Sequence, residues 1–235
     1  MKPVAVFRHW STEGAGHFAL FLNQHAIPWR MIHVDQGEPI PQDVTEFCGL
    51  VFMGGPMSVN DDLPWIRPAL ALIRDAYAKD IPLLGHCLGG QLMSKALGGV
   101  VTRNPVKELG WGEVAVADNE IARQWFGDIL RFEAFHWHGE TFSLPPGATH
   151  LLSSAHCVNQ AWAIGRHLAM QCHVEMTARM IEDWCREGAK EVLDNLHSPG
   201  VQDAATMQAQ MHDKLPQLNR VAARLYRNRL HGIGR

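Results

Sequence analysis

The 235-residue sequence contains no uninterrupted apolar run of the roughly eighteen residues that a membrane-spanning helix needs. Charge meets the chain early, at Lys2 and Arg8, so its start reads as a first strand and not as a signal peptide. No C-x-x-C pair occurs. The five cysteines, Cys48, Cys87, Cys157, Cys172 and Cys185, are odd in number and irregularly spaced, which disfavours both a disulfide framework and a thiolate zinc site and implies a reducing, cytoplasmic setting. Net charge is small, with 21 Lys+Arg against 24 Asp+Glu, so nothing in bulk electrostatics favours nucleic acid or an anionic membrane as partner. Phosphate-cradling glycine motifs, internal repeats, low-complexity stretches and obvious linkers are also missing.

What is present is apolar mass: 46% hydrophobic residues against 19% charged, the balance of a chain with a sizeable core. At about 150 residues per domain the length allows one large domain or two small ones. Without a linker the reading is a single unit over residues 1–235, with a catalytic core to about 190 and C-terminal helices over about 191–235.

Short β-rich runs at residues 4–7, 29–34, 50–53 and 81–84 alternate with helical periodicity at 16–25, 64–78 and 88–97. In the first of these helices Phe18, Phe21 and Leu22 share a face; in the second the stripe is Ile66, Leu70, Ile73 and Tyr77. Gly98-Gly99 stops the third. Such alternation of strand and helix predicts an α/β fold with three layers and a mostly parallel central sheet covered by helices on both faces. Shorter strands follow at 112–116, 132–137, 150–152, 161–164 and 168–172, and the chain after Thr177 reads as a helical C-terminal addition, broken at Ser198-Pro199-Gly200 and ending near Leu230.

The stretch Ile81-Pro-Leu-Leu-Gly85-His86-Cys87-Leu88-Gly89-Gly90-Gln91 runs a buried strand through glycines into a helix, the pattern of a nucleophile elbow. Glycines two before and two after the central residue remove the bulk that a sharp strand-to-helix turn cannot hold. Cys87 would then stand above the carboxyl ends of the sheet at a helix N-terminus. A thiol nucleophile needs a base and the base an orienting group. His173 and Glu175, two apart at a strand end, point to the same side of the chain and suit those roles. Met53-Gly54-Gly55-Pro56 follows the third strand, so the amides of Gly55 and Leu88 are candidate donors for a developing oxyanion.

These segments resemble the class I, triad-type glutamine amidotransferases. Gly85-x-Cys87-x-Gly89-x-Gln91 is similar to that family's elbow, Gly54-Gly55-Pro56 to its oxyanion loop, and His173-x-Glu175 to its terminal H-P-E, with Val174 in place of the proline. His138-Gly139-Glu140, ahead of Leu144-Pro145-Pro146-Gly147, is similar to its S-H-G-D and L-P-x-G segments, in the same order along residues 45–176. His86 and Gly90 depart from the residues common at their elbow positions. The resemblance implies a flavodoxin-like amidotransferase fold, no cofactor, and glutamine or another γ-glutamyl compound as substrate. It further implies attack by Cys87 on the side-chain amide and a substrate held by Gly54, Gln91, Trp137, His138 and Gly139. By itself the residue chemistry reaches only a cysteine hydrolase with an oxyanion hole.

His136 and His138 have the spacing of a strand metal pair, but no third ligand has a compelling spacing, so no metal is expected. From Lys214 to Arg235 six Lys+Arg occur with no Asp or Glu, read as a solvated helix face that could also dock an acidic partner. With no length left for an acceptor-activating domain, two functions compete: a free-standing glutaminase handing ammonia to a separate synthetase chain, and a self-sufficient γ-glutamyl hydrolase.

Overall fold

A computed structural model describes residues 2–230; the last part of the basic run, residues 231–235, lies outside the described residues. Nine strands form one sheet in the order β2-β1-β3-β4-β9-β8-β7-β5-β6. The first half of the chain supplies β1 (Val4–Arg8), β2 (Trp29–His33), β3 (Gly49–Phe52) and β4 (Leu83–His86), separated by α1 (Gly16–Gln24) between β1 and β2 and α2 (Ile66–Ala78) between β3 and β4. All are parallel, and β9 (His167–Met170) joins them parallel beside β4.

Beyond β9 the sheet reverses. β8 (Ala161–Ile164), β7 (Thr149–Ser154), β5 (Val101–Val116) and β6 (Arg131–Phe142) pair antiparallel, each with its neighbour. Four of eight pairings are therefore parallel, so the expectation of a mostly parallel sheet holds from β2 to β9 and not beyond. Between β8 and β9 the cause is connection length. A parallel return needs a crossover of a dozen or more residues, whereas two residues, Gly165 and Arg166, turn β8 back along β9. β5 is far longer than the run at 112–116, because charged residues and Pro105 break its alternation while β6 still pairs along it, with an irregularity between Arg103 and Glu108. α4 (Glu120–Phe126), capped by Asn119 accepting from the Ala122 amide at 2.8 Å, has too short an apolar pattern to be read from periodicity.

Strand alternation divides two cores across the sheet. Val4, Val6, Val51, Leu84, Leu168 and Met170 face one layer, where α1 lays Phe18, Phe21 and Leu22. That layer also holds α5 (Ala178–Glu187) and α7 (Ala204–Leu230), whose Leu218, Ala222, Leu225 and Tyr226 are buried in the same cluster. Ala5, Phe7, Leu50, Phe52, Leu83 and Ala169 face α2 and α3 (Leu88–Ala96). In α2 the buried stripe is Ile66, Ala69, Leu72, Ile73 and Ala76; Tyr77 is displaced to the surface, because the face of the helix is set by small residues that allow close approach. The C-terminal helices are thus packed into one core layer; between them and α5 lies α6 (Ala189–Asn195).

α3 enters at the tightest point. A Cβ on Gly89 would run into the Phe52 carbonyl of β3, and one on Gly85 into the Gly89–Gly90 peptide. Gly89→Ala should therefore cost about 1–3 kcal/mol by overpacking against backbone that cannot rotate away. Urea unfolding measures this, and a loss under about 0.5 kcal/mol would show that the approach is looser than the backbone implies.

Candidate active site

Four parallel strands deliver residues to one edge. β1 leads to His9 and the Trp10–Glu13 turn, β3 to Met53, Gly54 and Gly55, β4 to His86 and Cys87, and β9 to Gln171, His173 and Glu175. This is the carboxyl edge of the sheet, where open α/β folds bind their ligands.

Cys87 caps α3 with φ 49° and ψ −108°, a positive-φ conformation rare for a residue with a side chain. Its amide donates to the Met170 carbonyl at 2.8 Å and its carbonyl accepts from the Gln91 amide at 2.9 Å, so both sides of the strained residue are fixed. The sulfur receives a hydrogen bond from Gln171 Nε2 at 3.4 Å and lies 3.8 Å from the Trp137 carbonyl. Gln171 in turn accepts from Gln91 Nε2 at 3.2 Å. Gln171 belongs to none of the expected motifs; its place two residues before His173, directly after the strand that pairs with β4, is the sequence signal that marks it.

His173 Nδ1 and Glu175 Oε1 are 2.7 Å apart and both side chains are buried. Burial opposes protonation of His173, yet the Glu175 carboxylate outweighs it, with Cys87 adding to the effect, and the imidazole pKa is raised well above its ordinary 6.5. Burial likewise works against ionised Glu175, but His86 and His173 pull its carboxyl down to about 2. His86, 3.0 Å from Glu175 Oε2, is thus a second imidazole on the same carboxylate. Strand alternation at β4, which turns His86 and Cys87 to opposite sides, could have marked it. Trp184 packs edge-on against His173 with ring centroids 4.8 Å apart.

A cavity of about 810 Å³ opens over Cys87. Of the residues expected to hold substrate, Gln91, Trp137, His138 and Gly139 line it, as does Gly55; Gly54 does not. The Glu13 carboxyl lies against Gly54 instead, and a methyl group there would also meet His173 Cε1 at 3.1 Å. Gly55 packs on the Leu88 side chain, which brings the two amides proposed for an oxyanion into one neighbourhood. Glu13 and Glu140 also line the cavity, in addition to the expected set. Burial pushes the Glu13 carboxyl up to about 7, His173 partly offsetting that rise and Glu175 reinforcing it.

Both ring nitrogens of His138 are engaged within the protein. Its Nδ1 meets the Glu140 carbonyl at 3.0 Å and its Nε2 meets Glu108 Oε2 at 3.0 Å. Glu108, His136 and His138 bring candidate ligand atoms within 4.8 Å of one another, supplying the third metal ligand that sequence spacing did not offer. Gln160 Nε2 occupies their midst, 2.8 Å from Glu108 Oε2 and 3.3 Å from a nitrogen of each histidine. The group reads as a hydrogen-bonded network that stiffens β6 behind Trp137, and it could hold a divalent ion only after the Gln160 amide swung out.

Glu175→Gln removes the main favourable partner of His173, so the imidazole titration midpoint followed by NMR should fall; an unchanged midpoint would show that another group holds it. The sign for stability follows from the depressed Glu175 pKa. Its contribution is complete above about 4.5 and is lost as pH falls toward about 2, so the parent-minus-variant stability difference should shrink across that window.

Comparison with known proteins places this geometry. The family model described as glutamine amidotransferase class-I matches residues 25–184. The glutamine amidotransferase-like protein YfeJ of Salmonella typhimurium is 30% identical over 88% of this chain and 91% of its own. A glutamine-hydrolyzing GMP synthase subunit from Saccharolobus solfataricus is 31% identical over 60% of this chain and 75% of its own. A crystal structure of a glutamine amidotransferase from Methylobacillus flagellatus superposes with a TM-score of 0.96 at 42% identity, covering 99% of this chain and 95% of that one. The chain belongs to the class I glutamine amidotransferase family.

Proposed function

We propose that the protein hydrolyses the side-chain amide of glutamine or of a γ-glutamyl compound through Cys87, His173 and Glu175. The observation that carries this reading is the buried His173–Glu175 pair at 2.7 Å beside a cysteine held at positive φ on an elbow. His173 takes the Cys87 proton, and the sulfur adds to the amide carbon. Charge then develops on the carbonyl oxygen, for which the Gly55 and Leu88 amides are the donors. As the C–N bond breaks, the imidazolium returns the proton to the leaving nitrogen, releasing ammonia from glutamine and leaving a γ-glutamyl thioester. Water, deprotonated by His173, hydrolyses that ester to glutamate and restores the thiol.

Glu175 holds the ring in one tautomer and stabilises the imidazolium; its low pKa keeps it ionised throughout. Gln171 donates to the sulfur and holds it in position. Gln91 and the Trp137–Gly139 segment are the wall against which the amino-acid end would lie. Glu140, fixed by the Ser58 hydroxyl at 2.9 Å, offers a carboxylate for its ammonium group. The similarity to the GMP synthase subunit of Saccharolobus solfataricus supports the version in which ammonia passes to a separate synthetase chain. The second version is a self-sufficient γ-glutamyl hydrolase, for which the open cavity of about 810 Å³ leaves room beyond a bound glutamine.

Cys87→Ala should lower glutamine or γ-glutamyl hydrolysis by at least about a thousandfold, the scale on which nucleophile removal acts. A glutamine-like diazoketone should add once, at Cys87, by mass spectrometry of the intact chain and its peptides. Full turnover by the alanine variant would overturn the triad assignment.

A further inference from the structure

The imidazole that protonates a leaving nitrogen must touch it, so whatever that nitrogen carries lies beside His173. That side of the cavity has a distinct composition. Glu13 rests against Gly54, which the Cε1 edge of His173 also approaches, and its Oε2 is shielded from solvent with no hydrogen-bond partner. Trp184 stands edge-on to His173 and donates from Nε1 to the Thr12 carbonyl at 3.0 Å. Thr12 in turn donates from its hydroxyl to Glu187 at 3.2 Å, and Trp10, 44% exposed, stands at the mouth.

The lysines of the same cavity do not neutralise these carboxylates. Lys107 is paired with Glu191 and Lys190 with Asp194. Among the described residues no ion pair involves Glu13 or Glu187. Two carboxylates and two indoles therefore flank the space next to the leaving nitrogen, and an unpartnered buried carboxyl oxygen points to a donor that the chain itself does not provide.

Resting on the Cys87–His173–Glu175 reading, we propose that the preferred substrate is the γ-glutamyl amide of an amine carrying a second, cationic group, which Glu13 and Glu187 hold beside Trp10 and Trp184. The reaction balances with water as the co-reactant. The Cys87 sulfur bonds to the γ-carbon, the C–N bond breaks, and His173 gives its proton to the departing nitrogen. A diamine leaves, and water releases glutamate from the thioester. A cation at Glu13 supplies the opposite charge that burial otherwise denies this carboxyl. A leaving group ending in a carboxylate meets like charge at the same place.

A matched series of synthetic amides tests this: γ-glutamyl-1,4-diaminobutane, γ-glutamyl-n-pentylamine and γ-glutamyl-5-aminopentanoate differ at the far end only in charge. Free glutamine serves as the reference. The expected kcat/KM for the diamine amide exceeds that of the pentylamine amide by about tenfold, with the carboxylate lowest. Glu13→Gln and Glu187→Gln, each confirmed folded by circular dichroism, should each shrink the cation-to-neutral ratio within the variant. Equal kcat/KM across the series, with Cys87-dependent glutamine turnover intact, overturns the substrate class and leaves the triad reading standing. A ratio unchanged in both variants overturns the assignment of Glu13 and Glu187. No Cys87-dependent turnover of any member overturns both the triad reading and the proposal.

Discussion

Everything at the site depends on how closely the α3 N-terminus is drawn against the sheet. Gly89 meets the Phe52 carbonyl of β3, and Gly90 would place a Cβ 2.6 Å from the Met170 carbonyl of β9. The helix is thus wedged between the two strands that flank β4. Only residues without side chains fit that wedge, and the fit forces Cys87 into its positive-φ turn with the sulfur facing outward. The strain, of order 1–3 kcal/mol for such a conformation, is borne by the hydrogen bonds on either side of Cys87 and by the buried helix behind it. A looser helix would let the elbow relax and turn the thiol away from β9.

The second constraint is electrostatic. Glu175 is a buried carboxylate between two imidazoles, His173 on one oxygen and His86 on the other. A buried charge with one partner removed is costly, so the arrangement ties the folding of β4, which carries His86, to the segment after β9, which carries the pair. Glu13 is the counterexample nearby. Its carboxyl lies nearby but forms no ion pair among the described residues, His173 offsets its burial only in part, and its pKa moves up while that of Glu175 moves down. Two carboxyls near one imidazole thereby differ in protonation, the condition that lets one hold charge permanently and the other respond to a ligand.

The sequence disclosed those parts of the fold whose physics is local. The all-buried strands β1, β3 and β4 read correctly to within two residues, because parallel strands covered on both faces are short continuous apolar runs. α1 and α3 read correctly because glycine punctuates them. The direction of β5 to β8 did not, since strand polarity is set by partners distant in sequence, and a nonuniform strand such as β5 hides its length. The same division holds at the site. Cys87, His173 and Glu175 sit in short motifs, so their placement near one another at the sheet edge could be expected from the sequence. Glu13, Gln171 and Glu108 come from other segments, and only tertiary packing brings them to Gly54, the sulfur and the histidine pair.

The reversal of the sheet at β9 has a kinetic corollary. β4 finds its second neighbour, β9, only after the chain has run out through the antiparallel ribbon of β5 to β8 and returned, so Leu84 pairs with Leu168 across a long loop of sequence. Such distant pairing closes late. A polypeptide emerging from the ribosome with α3 complete carries its thiol but neither Gln171, His173 nor Glu175. Cys87 and the His173–Glu175 pair are therefore brought together late, and a truncated or stalled chain ending before β9 carries the elbow cysteine without the side chains that surround it in the folded protein.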